Sequence, residues 1–180
     1  MRINLYGGPC AGKSTTAAWL FSELKGLHYS VELVGEYVKN WAYQNRRVNY
    51  FDQIYLFGKQ MQYEYGFLSH GVDHIVTDSP VFLSYCYSKK YLSSKVAHPL
   101  KELAAHYDEE HPCVNIFLDR SGKPYKQEGR YQTEEEAKAL DEFIWQELLS
   151  HYGSDKVNIF HYQDRRGILD KVINKLQENG

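Results

Sequence analysis

The chain has 180 residues, with 21 lysines and arginines against 23 aspartates and glutamates, which gives a formal net charge of −2. This balance argues against a protein that coats nucleic acid through bulk positive charge, although it leaves room for a local basic groove. Hydrophobic residues make up 43% and charged residues 24%, close to soluble globular averages, which disfavours disordered and coiled-coil classes. The length suits a single domain over residues 1–180.

No window approaches the roughly 18 consecutive apolar residues that span a bilayer. The apolar run at 1–6 is also too short for a secretory signal. The cysteines, Cys10, Cys86 and Cys113, are odd in number and widely spaced, which argues against a disulfide framework or a zinc site. We therefore expect a cytoplasmic protein with reduced cysteines and no membrane partner.

Short apolar runs and helical patterns alternate along the whole chain. The strands are predicted at 3–6, 31–35, 75–77, 114–118 and 157–160. Helices are predicted at 13–25, 52–68, from a capping box at 133–136 to about 151, and at 168–176. This alternation predicts an α/β fold in which a five-stranded parallel sheet is flanked by helices.

The apolar face of each predicted helix follows from residues spaced near multiples of 3.6. In the second helix these residues are Ile54, Met61, Tyr65 and Leu68. In the helix after the capping box they are Leu140, Phe143, Ile144, Glu147 and Leu148.

A motif near the N-terminus has the pattern G-x-x-x-x-G-K-[ST] of a phosphate-binding loop. It comprises Gly7, Gly8, Pro9, Cys10, Ala11, Gly12, Lys13 and Ser14. A predicted strand precedes it and a predicted helix follows, so small residues let backbone N–H groups face an anion at the helix N-terminus. A glycine turn with an incidental lysine is the alternative, which this order of elements disfavours. The motif predicts the three-layer P-loop NTPase fold.

The same motif indicates the cofactors. Lys13 is expected to bridge the β- and γ-phosphates of ATP, and Ser14 to bind Mg²⁺. Thr15, in the first helical turn, is expected near the α-phosphate. No guanine-reading N-K-x-D stretch occurs, which mildly favours ATP over GTP.

From residue 1 to about 174, the order of motifs resembles the P-loop kinases of nucleosides and nucleotides, in particular small phage-encoded ATPases or kinases. A phage origin would imply the host cytoplasm. Segment 34–41 is similar to the stretch of deoxynucleoside kinases in which a glutamate at a strand end is the general base. The resemblance implies that Glu36 is this base and that Tyr37 and Trp41 contact the acceptor. A carboxylate at the carboxyl end of a strand beside the phosphate loop suits that task independently, and a solvated strand-end glutamate is the alternative.

The same resemblance assigns residues between the base and the lid. It implies that Asp78, at the end of the third strand, holds magnesium, whereas a helix cap is the alternative. Ser79 and Pro80 stand where the family has arginine and serine, so the arginine's substrate contact is not carried over. Gln53 and Gln60 lie on the helix that carries a base-reading glutamine, and each is about as well explained as a surface residue.

Residues 119–132 resemble the lid of P-loop kinases, whose arginines close over the transferring phosphoryl group. The resemblance implies that Arg120 and Arg130 bind phosphate, with Lys123 and Lys126 as second choices, and a plain surface loop is the alternative. In the loop after the fifth strand, Arg165 is predicted to stack on the adenine, or else to begin a solvated helix.

Three functions remain open at this point. The first is a Mg²⁺-ATP-dependent kinase acting on a nucleoside, a nucleotide or a related small metabolite. The second is a kinase acting on a DNA or RNA 5′ end or on a hydroxymethylated base, through cations at 46–47 or 89–90. The third is a regulatory ATPase or nucleotide-binding switch, which would need no base.

Tyrosine is overrepresented, with 16 residues in the chain. Many of them precede the third strand and predict a ring-lined acceptor pocket, namely Tyr37, Tyr43, Tyr50, Tyr55, Tyr63 and Tyr65. The aromatic helix face within 50–67 is also a candidate surface for a homodimer.

Overall fold

The computed structural model describes residues 1–49, 51–126, 128 and 130–178. Tyr50 of the predicted pocket and Gln127 and Gly129 of the predicted lid lie outside the described residues. The strands are β1 (Arg2–Tyr6), β2 (Val31–Val34), β3 (His74–Thr77), β4 (Cys113–Asp119) and β5 (Val157–His161). The helices are α1 (Lys13–Gly26), α2 (Lys39–Tyr43), α3 (Asp52–Leu68), α4 (Val81–Tyr91), α5 (Ser94–Glu110), α6 (Glu134–Tyr152) and α7 (Arg165–Glu178).

The strands form one parallel sheet in the order β2-β3-β1-β4-β5. The central strand β1 pairs on both sides, with Ile3 opposite Val76 of β3 and Val114 of β4. One apolar cluster joins the sheet to α1 and α7, and a second joins it to α3, α4, α5 and α6. The predicted α/β fold with a five-stranded parallel sheet is confirmed, and it places the phosphate loop after the central strand.

Helix α5 was not predicted from the sequence. It contains Pro99, which lacks the N–H that a helix interior needs and therefore normally indicates a helix end. The helix nevertheless buries Val96, Leu100 and Ala104 against its neighbours. Among the described residues, each helix is too short or too polar to cross a bilayer.

The predicted face of α3 is wrong for Ile54 and Tyr65, although Met61 packs against the core and the bounds of the helix are correct. Ile54 and Tyr65 are 48% and 50% exposed. The buried residues are Leu56, Phe57, Gln60 and Glu64. Two of these are polar and find partners on other elements, which a hydrophobic period cannot reveal. The exposed apolar side chains of α3 are consistent with the predicted homodimer surface, and the homodimer stays a prediction.

A buried charge cluster joins the start of β1 to helices α3 and α5. The Arg2 side chain is fully buried, with its Nη1 3.5 Å from Glu64 Oε2 and its Nη2 donating to Asp108 Oδ1. Burial works to raise the pKa of Asp108, but hydrogen bonds from His151 and Tyr152 and the charge of Arg2 outweigh it. The pKa of Asp108 therefore lies below its usual 3.8.

We expect Asp108→Asn to destabilise the fold by about 3 kcal/mol at neutral pH, because a buried guanidinium loses one of its anionic partners. Since the pKa of Asp108 is lowered by folding, its contribution is present above pH 3.8 and is lost as the pH falls through the folded-state value. Urea unfolding at pH 7 and pH 3 measures both effects. Glu109→Gln, at an exposed position on the same helix, is the control; equal stability of the two variants at pH 7 would contradict the prediction.

Candidate active site

A cavity of about 800 Å³ opens at the carboxyl edge of the sheet. Its walls come from the phosphate loop, the segment after β2, helices α3 and α4, and the segment between β4 and α6. Ligands of open α/β sheets bind outside this edge, where the loops after neighbouring strands diverge. The cavity is therefore the candidate site.

The phosphate loop joins the end of β1 at Tyr6 to the start of α1 at Lys13. Gly12 has φ +104°, a left-handed conformation that other residues rarely adopt, and it turns the chain into the helix. The Lys13 Nζ donates to the carbonyl oxygens of Gly7 and Gly8 at 2.8 and 3.0 Å. Its ammonium thus lies across the mouth of the loop. The exposed first turn of α1 presents free N–H groups and a favourable dipole to an anion.

The loop is supported from behind by α6. Asp141 Oδ1 accepts the Gly8 N–H at 2.5 Å, and Asp141 Oδ2 accepts from Arg120 Nε. A Cβ on Gly8 would lie 2.9 Å from the backbone carbonyl oxygen of Ala137, so this close approach requires glycine. Arg120 also donates to the carbonyl of Ala137 at 2.9 Å and is only 8% exposed. Arg120, predicted as a lid arginine, therefore lies behind the loop, outside the residues that line the cavity.

Glu36 lies half-buried in the cavity wall, just beyond the end of β2. Burial raises its pKa above the usual 4.5, and the nearby charge of Asp78 raises it further. The cations Lys13, Lys39 and Arg130 act in the opposite direction without cancelling the rise. These five charged groups converge on one part of the cavity. A carboxylate whose pKa is shifted toward neutrality suits a proton acceptor.

Asp78 follows β3, and its carboxylate is 4% exposed, while its Oδ1 has no hydrogen-bond partner among the described residues. The cap alternative has no support, because the N-cap residue of α4 is Pro80 and the Val81 N–H is taken by Glu64. The Ser14 hydroxyl accepts from Lys39 Nζ at 3.3 Å. A carboxylate oxygen without a hydrogen-bond partner and a hydroxyl at the phosphate loop suit Mg²⁺, which prefers hard oxygen ligands and retains water. Within the described part of the chain, no three His, Cys, Asp or Glu side chains form a metal cage.

Both predicted glutamines of α3 line the cavity, but Gln60 is tied to the protein. Its Oε1 accepts the Tyr37 N–H at 3.4 Å and its Nε2 donates to Thr77 Oγ1 at 3.4 Å. Gln60 is 4% exposed, whereas Gln53 is half-buried at the cavity wall. The amide of Gln53 is therefore more accessible to hydrogen bonds from a ligand than that of Gln60.

Of the two predicted aromatic contacts, Tyr37 lines the cavity and Trp41 does not. Trp41 is 6% exposed and stacks on Tyr55 with ring centroids 6.0 Å apart. The Arg46 guanidinium covers Trp41 at 3.4 Å from the ring centroid. Trp41 therefore supports the wall that carries Tyr37, and direct contact with an acceptor stays a prediction.

The predicted tyrosine cluster contributes only partly to the cavity. Tyr37 and Tyr43 line it, whereas Tyr63 and Tyr65 are half exposed elsewhere on α3. The remaining lining tyrosines come from α4, from the segment before α6 and from the loop after β5, namely Tyr87, Tyr91, Tyr131 and Tyr162. They were missed because they are far apart in sequence.

Described residues of the segment between β4 and α6 line the cavity. Arg130 lines it and donates through Nη1 to the carbonyls of Lys126 and Glu128 at 2.8 and 2.7 Å. Lys123 and Lys126 also line the cavity. The Tyr131 hydroxyl donates to the Arg46 carbonyl, which joins this segment to the loop before α3. The role of this segment as a lid stays a prediction.

A second cavity of about 380 Å³ adjoins the first. Gly12, Thr15, Lys123 and Tyr162 line both cavities. Arg165 lines the second, with its guanidinium 5.4 Å from the Trp19 ring centroid. This cavity reaches the helix N-terminus from the β5 side, so its position fits the donor base that Arg165 was predicted to contact.

Sequence reasoning missed Lys39 and Asp141. Lys39 contacts Ser14, and its charge partly opposes the rise in the pKa of Glu36. The available signal in the sequence was its position three residues after Glu36. Asp141 gave no local signal, because it acts through Gly8, which is distant in sequence.

Comparisons with known proteins agree with this architecture. A family described as AAA domain matches residues 2–165. No curated protein matches the sequence.

Solved structures resemble the chain at low sequence identity. A deoxyadenosine kinase from M. mycoides, with products dCMP and a flexible dCDP bound, is 14% identical with a TM-score of 0.61, over 99% of this chain and 100% of that one. NadR in complex with NR is 16% identical with a TM-score of 0.68, over 96% of this chain. The match covers 50% of the NadR chain, so this chain spans about half its length. Such identities show the fold alone.

The parallel five-stranded sheet, with the phosphate loop after its central strand, agrees with these comparisons. The chain therefore belongs to the matched AAA domain family and has the fold of the P-loop nucleoside and nucleotide kinases.

Proposed function

We propose that this protein is a Mg²⁺-ATP-dependent kinase that transfers the γ-phosphoryl group to a nucleoside, a nucleotide or a related small metabolite. The observation that carries the proposal is Glu36, whose pKa is raised by burial and which lies in the cavity wall among Lys13, Asp78 and Arg130. A switch that only binds nucleotide has no need of a proton acceptor at this position, whereas an ATPase would use it on water. A kinase needs one where the acceptor hydroxyl meets the γ-phosphate.

In this reaction the acceptor oxygen forms a bond to the γ-phosphorus while the bond to the β–γ bridging oxygen breaks. Glu36 takes the proton of the acceptor hydroxyl. Lys13 and Arg130 neutralise charge on the transferring group, which is the main protein contribution to phosphoryl transfer. Lys39, beside Ser14, adds a further positive charge.

Ser14 and Asp78 would hold the Mg²⁺ that accompanies ATP. The unpartnered Oδ1 of Asp78 supports this assignment. Held by these residues, Mg²⁺ would reduce the negative charge that an acceptor must approach.

Three observations favour a small acceptor over a nucleic acid. The segment between β4 and α6 lines the cavity, and the bond from Tyr131 to the Arg46 carbonyl joins it to the loop before α3. Arg46 covers Trp41 and pairs with Asp52, and Lys89 pairs with Glu147, which reduces the charge that 46–47 and 89–90 offer a polyanion. The similar structures were solved with dCMP and dCDP, or with NR.

A transfer screen with ATP labelled on the γ-phosphate tests the proposal. We expect label on one or more nucleosides, nucleotides or related metabolites, with Mg²⁺ required and EDTA abolishing transfer. Label on oligonucleotides alone would favour the nucleic-acid kinase. Label found only as free phosphate would exclude both kinases and favour a regulatory ATPase.

A further inference from the structure

Gln60 connects the two segments that carry the proposed catalytic carboxylates. Its Oε1 accepts the N–H of Tyr37, the residue after Glu36. Its Nε2 donates to the hydroxyl of Thr77, the residue before Asp78. One buried side chain thus spans the end of β2 and the end of β3.

The orientation of this amide is determined by a further hydrogen bond. The Thr77 Oγ1 donates to Glu64 Oε1 at 3.3 Å. The Tyr37 backbone N–H can only donate, so it requires the Gln60 oxygen, and Thr77, whose hydrogen goes to Glu64, accepts from the Gln60 nitrogen. The nitrogen of Gln60 must then face Thr77, and its oxygen must face the Tyr37 N–H.

Glu64 is itself held in place. Its Oε1 also accepts the Val81 N–H at 3.2 Å, and its Oε2 lies 3.5 Å from Arg2 Nη1. The Arg2 and Glu64 side chains are fully buried. The chain of contacts from Gln60 therefore ends on β1 and α4, elements of the sheet and its covering layer.

We propose that Gln60 is a positioning residue that fixes Glu36 relative to Asp78. Gln60 is 4% exposed, and its amide oxygen bonds to Tyr37. Its amide nitrogen bonds to Thr77 and contributes a hydrogen bond that opposes the rise in the pKa of Glu64 caused by burial, so little of the amide is available to a ligand. Thr77 is fully buried and outside the cavity lining, so it acts only through its contacts with Gln60 and Glu64. The catalytic part of this inference rests on the proposed kinase function.

The first measurement compares Gln60→Met and Thr77→Val in steady-state transfer to several acceptors. Because both variants loosen the placement of Glu36, we expect kcat to fall about tenfold to a hundredfold by a similar factor for every acceptor, with KM little changed. Thr77→Ser restores the hydroxyl and should restore kcat. The matched control is Gln53→Met, the same change on the same helix, which should alter the preference among acceptors.

The second measurement does not depend on any activity. Amide hydrogen exchange of Tyr37, followed by NMR, should be at least about tenfold faster in Gln60→Met and Thr77→Val, because the N–H loses its partner or that partner loses its orientation. Thr77→Ser and Gln53→Met should exchange at the wild-type rate. The Val76 amide, within the sheet, reports whether each variant keeps its fold.

Wild-type exchange of Tyr37 in both Gln60→Met and Thr77→Val would overturn the proposal. So would unchanged kcat in these two variants, or an altered acceptor preference in Gln60→Met. If the wild-type protein transfers phosphate to no acceptor, the kinase proposal fails. The exchange of Tyr37 then still decides whether Gln60 positions the segment after β2.

Discussion

Replacing Lys13 with alanine is expected to reduce phosphoryl transfer by about a thousandfold or more. The side chain supplies a positive charge at the mouth of the phosphate loop, where negative charge accumulates on the transferring group. Losing one such contact in a preorganised site costs on the order of 10² to 10³ in rate, and losing a phosphate-binding cation often costs more. Initial rates of γ-phosphate transfer at saturating ATP measure the effect.

The control for Lys13→Ala is Lys25→Ala. Lys25 belongs to the same helix, is exposed and pairs with Glu32, far from the cavity. This variant should turn over like the wild type. Thermal unfolding should show that both variants are folded, and full turnover by folded Lys13→Ala would remove the phosphate-loop assignment.

Glu36→Gln is expected to lower transfer by about 10² to 10⁴, the usual contribution of a general base, while ATP binding persists. The amide has nearly the shape of the carboxylate but cannot accept the proton of the acceptor hydroxyl. Rates of transfer, measured beside an independent ATP-binding assay, separate these effects. Glu32→Gln, on strand β2, is the matched control, and an unchanged rate in Glu36→Gln would remove Glu36 as the base.

The pH dependence of kcat/KM, compared between the wild type and Glu36→Gln, gives a second readout. A base works in its ionised form, so kcat/KM should fall as the pH drops through the pKa of Glu36. Because burial raises that pKa, this acid limb should lie above the ordinary glutamate value of 4.5. Glu36→Gln should lack the limb, and an identical limb in that variant would assign it to another group.

The phosphate loop and the sheet were predictable from the sequence because their signals are local. The residues of the loop are contiguous, and the strand before it and the helix after it have their own patterns. The capping box before α6 was predictable for the same reason: Thr133 and Glu136 satisfy each other's backbone N–H groups.

The remaining features depend on partners that are distant along the chain. Arg120 was assigned to the lid because it follows β4 in a cationic stretch, but Asp141 and Ala137 of α6 hold it behind the loop. The buried face of α3 contains Gln60 and Glu64 because Thr77 bonds to both side chains and Arg2 offsets the charge of Glu64. Residue type predicts exposure for such polar groups, and only the tertiary structure provides their partners.

Helix α6 has a mechanical consequence for the site. Its N-terminal cap, Thr133, is where the lid segment ends, and Asp141, which binds the Gly8 N–H, lies eight residues further along the same helix. At the usual rise these points are about 12 Å apart along the helix axis. Helix α6 thus connects Thr133, where the segment after β4 ends, to Asp141 behind the phosphate loop. A shift of α6 along its axis would therefore move that segment and the phosphate loop together.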